Sequence, residues 1–201
     1  MGNSAADERA ADGNVADEEA TDGKAAEGKV AAAVTLGLFA AWALHDTEEL
    51  LAAPRWIRDR VPELRERWPE LPERLWQVME GVDEREFRAA VGVMAGIVGA
   101  GAVAGWASGG RSAVYQAMLN AFGLHGLVHL GQALAVRGYT PGVATSPTLV
   151  VPFTLWARRR LARAGVLRPA RGRDVAAGIA WAGAATAVSH GVARRLVRRR
   201  S

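Results

Sequence analysis

The chain has 201 residues and no cysteine. That excludes a disulfide framework, a thiolate metal site and a cysteine nucleophile. Lysine is almost missing too: two lysines stand against 23 arginines, a bias that points to a GC-rich bacterial genome and carries no function. Acidic residues are missing from the second half. Of 21 Asp and Glu, 20 lie before Phe87 and only Asp174 follows it. There is no Gly-rich phosphate loop with its lysine and no Gly-x-Ser-x-Gly elbow, so nucleotide-dependent and serine-hydrolase chemistry have no motif to stand on. The N-terminus lacks the basic n-region of a signal peptide, and the first apolar run is expected to be retained as an anchor or first span.

What is present divides the chain into three parts. Residues 1–29 are rich in Ala, Gly, Asp and Glu without an aromatic. Such a stretch cannot bury enough surface to offset ordering, and a disordered acidic tail is expected. Residues 30–161 hold most of the apolar sequence. Residues 162–201 form an Arg-rich linker and a C-terminal helix. The sequence pI of about 10.3 resembles that of nucleic-acid binders. Here, however, the arginines sit beside apolar segments, at Arg158-Arg159-Arg160 and from Arg194 to Arg200, as membrane-flanking cations do. The expected partner is the lipid bilayer and not nucleic acid.

Five apolar segments follow the tail: Val30 to Leu51, Phe87 to Ala107, Ser112 to Val136, Thr140 to Ala157 and Val175 to Ala193. About 20 apolar residues cross a hydrocarbon core of ~30 Å; the first three segments meet that length well and the last two marginally. The second and third show no charged face of the kind a soluble bundle presents. The expected fold is therefore all-α: a polytopic membrane helix bundle of four or five spans in the plasma membrane. Small residues at Gly92-xxx-Gly96 and Gly101-xxx-Gly105-xxx-Gly109 have the spacing of close helix packing. Between the first two spans, residues 54–86 are charged and carry Pro62, Pro69 and Pro72, which argue against one long helix. They read as short amphipathic helices on the membrane surface, with Trp56, Trp68 and Trp76 at headgroup depth. A small cap with its own core is the alternative.

The chemistry is expected where charge enters the apolar sequence. The run Val30 to Leu44 has no charge, and His45-Asp46-Thr47-Glu48-Glu49 ends it. At helical spacing His45, Glu48 and Glu49 share one face, and ionisable groups at membrane depth mark functional sites or paired polar cores. In the third segment His125 and His129 are again i and i+4, with Gln132 one turn on. Threading five spans brings these histidines and both glutamates to one leaflet, near Tyr139 and Thr145. His45, His125 and His129 with Glu48 or Glu49 give three imidazoles and a carboxylate, a donor set suited to a divalent transition metal such as Zn, Fe or Mn. The second glutamate is then a general base or an orienting group; Glu48 and Glu49 are the candidate catalytic pair. Asn120, roughly opposite His129 on the helix, is expected to bond another helix. His190 has no partner at chelating spacing.

These residues resemble a family. His45-Asp46-Thr47-Glu48-Glu49, then Asn120 through His125 to His129, then Tyr139, Pro141, Gly142 and Thr145, look like the three blocks of the HxxEE domain family of bacterial multi-span membrane proteins. The resemblance covers roughly residues 30–161 and implies a membrane location and a polar site, with Asn120, Gln132, Tyr139 and Thr145 as its further polar residues. It implies no reaction. Intramembrane proteases of the CAAX-processing type also pair glutamates with histidines, but their Glu-Glu-x-x-x-Arg would need arginine where this chain has Ala53. Three functions fit: a metal-binding membrane protein, acting as an enzyme on a lipid-soluble substrate; a proton-coupled transporter with the Glu pair as relay; or a structural membrane protein.

Overall fold

In the computed structural model the backbone is described over residues 4–81, 83–169 and 172–198, and side chains over 32–81, 83–169, 180 and 183–197. The expected disordered tail over 1–29 lies outside the described side chains. The fold is all-α, with no strand among the described residues. Its helices are α1 (Ser4–Arg67), α2 (Glu73–Glu80), α3 (Glu84–Ala107), α4 (Ala113–Val136), α5 (Val151–Arg163) and α6 (Gly172–Arg198). A π-helical turn over Ser146–Val150 leads directly into α5.

Local sequence sets the helix ends. Asp83 caps α3, its Oδ1 accepting from the Glu86 N–H at 2.8 Å, and Ser112 caps α4 by accepting from the Tyr115 N–H at 3.3 Å. Each satisfies a donor that the first turn leaves free. Arg137 ends α4 in the left-handed conformation (φ 54°), and Gly138 then donates back to Ala133 O, the usual way to close a last turn.

The main core joins α1, α3, α4 and α5. On α4 the buried residues Tyr115, Met118, Leu119, Phe122, Gly126 and His129 recur at helical spacing. Of these, Tyr115, Met118, Leu119 and Phe122 share one core with Val34, Leu38, Ala41 and Trp42 of α1. The Tyr115 hydroxyl is fully buried and donates to Val34 O at 2.6 Å, so its one polar atom is satisfied in the core. Gln116 ties the far end of α4 to the segment after α5. Its amide nitrogen donates to Gly110 O and Val166 O, and its oxygen accepts from the Arg168 N–H, all at 2.8 Å.

The glycine spacing in α3 is used in one half only. A Cβ on Gly101 would lie 1.9 Å from Met118 Sδ, and one on Gly105 would lie 2.5 Å from the Tyr115 ring, whereas Gly92 and Gly96 face open space. Close α3–α4 contact therefore depends on Gly101 and Gly105. Gly105→Ala is expected to lower stability by about 1–3 kcal/mol through overpacking. Gly92→Ala should raise it by up to about 1 kcal/mol, because the helix gains a better former at no steric cost. Thermal unfolding of the two variants checks the contrast.

Residues 54–67 correct one expectation. Pro54 and Pro62 lie inside α1, which continues to Arg67; the chain breaks only at the Pro69 and Pro72 region before α2. Val61, Leu64, Trp76 and Val136 form a second small core, with Trp76 only 3% exposed. Trp76 is thus packed in a small core shared by α1, α2 and the end of α4. Arg65 pins α2 to α1 by ion pairs to Glu73 at 2.6 Å and Glu80 at 3.2 Å. Trp56 is half-buried and donates its indole N–H to Tyr139 O at 2.7 Å.

Among the described residues one helix, Glu84–Ala107, is long and apolar enough to cross a membrane. Length and composition alone therefore do not establish four or five spans. The reason lies in the polar content: α4 carries Gln116, Asn120, His125, His129 and Gln132, and the fourth segment is interrupted by its π-turn and prolines.

Candidate metal centre

Two helices bring four donors to one point. His45 and Glu49 stand i, i+4 on α1; His125 and His129 stand i, i+4 on α4. One ligand atom from each lies within 4.8 Å of all the others. Glu49 Oε1 is at the centre, 2.8 Å from His129 Nε2, 3.7 Å from His125 Nε2 and 3.8 Å from His45 Nε2. His125 and His129 face each other Nε2 to Nε2 at 2.9 Å. Donors placed tetrahedrally around a first-row divalent ion at ~2.0–2.1 Å would be separated by about 3.3 Å. The observed spacings bracket that value, so the four atoms are gathered at the scale such an ion needs.

The hydrogen bonds around His45 show which nitrogen it offers. Its side chain is fully buried, Nδ1 lies 2.7 Å from Thr145 Oγ1, and Nε2 has no hydrogen-bond partner among the described residues. Thr145 has a single hydroxyl proton, and Oγ1 also lies 2.6 Å from Glu48 Oε2. An ionised carboxylate only accepts, so the hydroxyl donates to Glu48. Its lone pair then accepts the His45 Nδ1–H. That fixes the tautomer and leaves the Nε2 lone pair aimed at Glu49. A buried imidazole nitrogen with a free lone pair beside a carboxylate fits a ligand awaiting an ion, and the carboxylate–hydroxyl–imidazole chain behind it is the outer support that such ligands have.

Glu48 is therefore placed apart from its neighbour. Its carboxylate accepts from the Tyr139 hydroxyl (2.8 Å), the Ala144 N–H (3.2 Å), the Thr145 N–H (2.8 Å) and the Thr145 hydroxyl. It does not belong to the four-donor group. Burial, followed by the Glu48 carboxylate it faces, pushes the Tyr139 phenol up to about 12, so Tyr139 remains a donor throughout the physiological range. The sequence offered Glu48 and Glu49 as interchangeable; the structure turns Glu49 to the donors and Glu48 to the 139–145 turn.

That turn also shapes the site. Gly142 has φ +84°, and a Cβ there would lie 2.8–3.0 Å from the His129 ring. Glycine is needed both for the left-handed backbone and for the close approach. Gly142→Ala is expected to weaken metal binding as well as stability, since the ring must move; parallel metal titration and thermal unfolding check both.

The remaining candidates lie outside the donor group. Asn120 faces α5 and accepts from Arg158 through its side-chain oxygen, an interhelical bond. Gln132 is exposed. His190 pairs with Glu86 at 3.1 Å, and Arg194 reaches the same carboxylate oxygen at 2.8 Å. One residue was overlooked: Asp46, only 8% exposed and next to His45. Its signal in the sequence is its place in the His45-Asp46-Thr47-Glu48-Glu49 turn that ends the chargeless run Val30 to Leu44.

The fold and site define an all-α protein in which a helix-end His-x-x-Glu-Glu turn meets a His-x-x-x-His helix. The chain belongs to the family of proteins of unknown function with an HXXEE motif, which matches residues 36–157. No curated protein and no solved structure matches it.

Proposed function

We propose that this is a multi-span membrane protein holding a divalent transition metal (Zn, Fe or Mn) through His45, Glu49, His125 and His129, and acting as an enzyme on a lipid-soluble substrate. The observation that carries the metal reading is the convergence of four donor atoms within 4.8 Å, with the His45 Nε2 lone pair free and buried. A bound ion there supplies Lewis acidity. Glu48, Thr145 and Tyr139 orient His45, and Glu49 is the one anionic ligand, so the Glu pair divides into a ligand and a positioning residue.

The outer surface supports the membrane reading. Leu44 is 61% exposed, Leu51 and Leu134 78%, and Leu127 and Val128 are more than half exposed. Only 28% of the apolar window of α3 is buried, whereas the core helix of a soluble protein is mostly covered. Bare apolar helix faces on this scale mark a surface that meets lipid or a partner. The expected outcome is that the chain stays with membranes through an alkaline carbonate wash and leaves them only in detergent. Release by carbonate alone would contradict the multi-span reading.

Metal binding should weaken on acidification, because protons compete for the imidazole lone pairs that the ion uses. The proton-relay alternative predicts flux driven by a pH gradient with no metal retained. It is less favoured because the Glu48 oxygens already engage the 139–145 turn.

A further inference from the structure

A cavity of about 240 Å³ lies between α1, α3, α4 and α6 and reaches the donor cluster at Glu49 and His125. For scale, an engineered apolar cavity of ~150 Å³ holds benzene, so a larger molecule fits here. The cavity is polarised along its length. On α1 its wall runs from Leu38 through Trp42 to Asp46 and Glu49, and on α4 from Met118 through Phe122 to His125. One end is therefore apolar and the other carries the donor cluster. From Leu38 to Glu49 the wall is ~16 Å long at 1.5 Å per residue.

Two further polar side chains, Ser189 and Asp46, line the cavity. Ser189 is 1% exposed, lines the cavity, and its hydroxyl has no partner among the described residues. Asp46 is 8% exposed and lines the same wall. A buried hydroxyl without a partner is costly unless something supplies one. What satisfies such a mouth must be able both to donate and to accept. A hydroxyl does both, an ammonium only donates and a hydrocarbon does neither.

We propose that this cavity is the substrate pocket, and that it takes a slender apolar alcohol with its hydroxyl between Asp46 and Ser189, beside Glu49 and His125, and its hydrocarbon tail along Trp42, Phe122 and Met118. The inference rests on the metal reading above. It adds a substrate class: a lipid-soluble molecule ending in a hydroxyl.

The test uses the full chain in lipid nanodiscs, loaded with zinc, and a straight-chain alcohol carrying a mid-chain diazirine as photolabel. Adducts are mapped by mass spectrometry, with octan-1-ol, octylamine and octane as competitors, and metal content is measured on the same samples. Labelling is expected on cavity residues such as Met118 and Phe122, with octan-1-ol competing at least about tenfold better than octane or octylamine. Asp46→Leu should erase the preference for the alcohol. Ala121→Leu and Ala185→Leu, which fill the cavity from α4 and α6, should each abolish cavity labelling while keeping the metal. Labelling confined to exposed residues such as Leu127 and Leu134, better competition by octylamine, or undiminished labelling in both filled variants would overturn the inference. Stoichiometric metal without cavity labelling sinks the pocket alone. Cavity labelling on a protein that takes no zinc sinks the metal reading instead.

Discussion

Glu49→Gln is expected to lower metal affinity by more than the ~10–100-fold that loss of an outer partner causes, with the helices intact. Glu49 Oε1 is the one donor that approaches all three imidazoles, at 2.8, 3.7 and 3.8 Å, and it is the one anion among the four. The amide keeps the shape and removes the charge, leaving a divalent ion with three neutral ligands and a weak fourth. Glu48→Gln separates the two glutamates. Its carboxylate touches the 139–145 turn and none of the other donors, so its effect should be the smaller one. Isothermal titration with zinc on both variants measures the difference; equal losses would contradict the division of roles.

Thr145→Val is expected to lower metal affinity ~10–100-fold, the range found when the group orienting a ligand imidazole is removed. Valine keeps the volume but removes the oxygen that accepts from His45 Nδ1 at 2.7 Å and donates to Glu48 at 2.6 Å. His45 is fully buried, so Nδ1 has no water to turn to, and the imidazole is free to carry its proton on Nε2, where it blocks the ligand position. Thr145→Ser keeps the oxygen and should restore affinity to near the wild-type value. That rescue separates tautomer control from simple packing: a packing role predicts that serine, which lacks the methyl group, behaves no better than valine.

Much of this site was legible from side-chain spacing. The pairs His45–Glu49 and His125–His129 each stand one helical turn apart, and both pairs meet in the structure. The distinction between Glu48 and Glu49 was not legible. Adjacent residues differ by about 100° around a helix, so both pointed broadly toward the same side. What separates them is the 139–145 turn, whose donors lie more than ninety residues away in the chain. The same holds for glycine: Gly92-xxx-Gly96 and Gly101-xxx-Gly105 look alike as strings, and only the tertiary approach of Tyr115 and Met118 makes one of them matter. Pro62 argues against a continuous helix by sequence, yet α1 runs through it. Val61 and Leu64 pack on Trp76 across this stretch, and that tertiary burial works against the backbone bond a proline removes. Asp46 escaped notice because its role depends on a cavity wall shared with α6, which no local pattern reveals.

The central claim is that His45, Glu49, His125 and His129 hold a metal ion. Elemental analysis of the protein purified in detergent without chelator, beside His45→Ala and His129→Ala variants of unchanged helical content, tests it most directly. The wild type is expected to carry close to one divalent transition-metal ion per chain, and both variants to lose it. A well-folded wild type that carries no metal, and takes up none when zinc, iron or manganese is supplied, would contradict it.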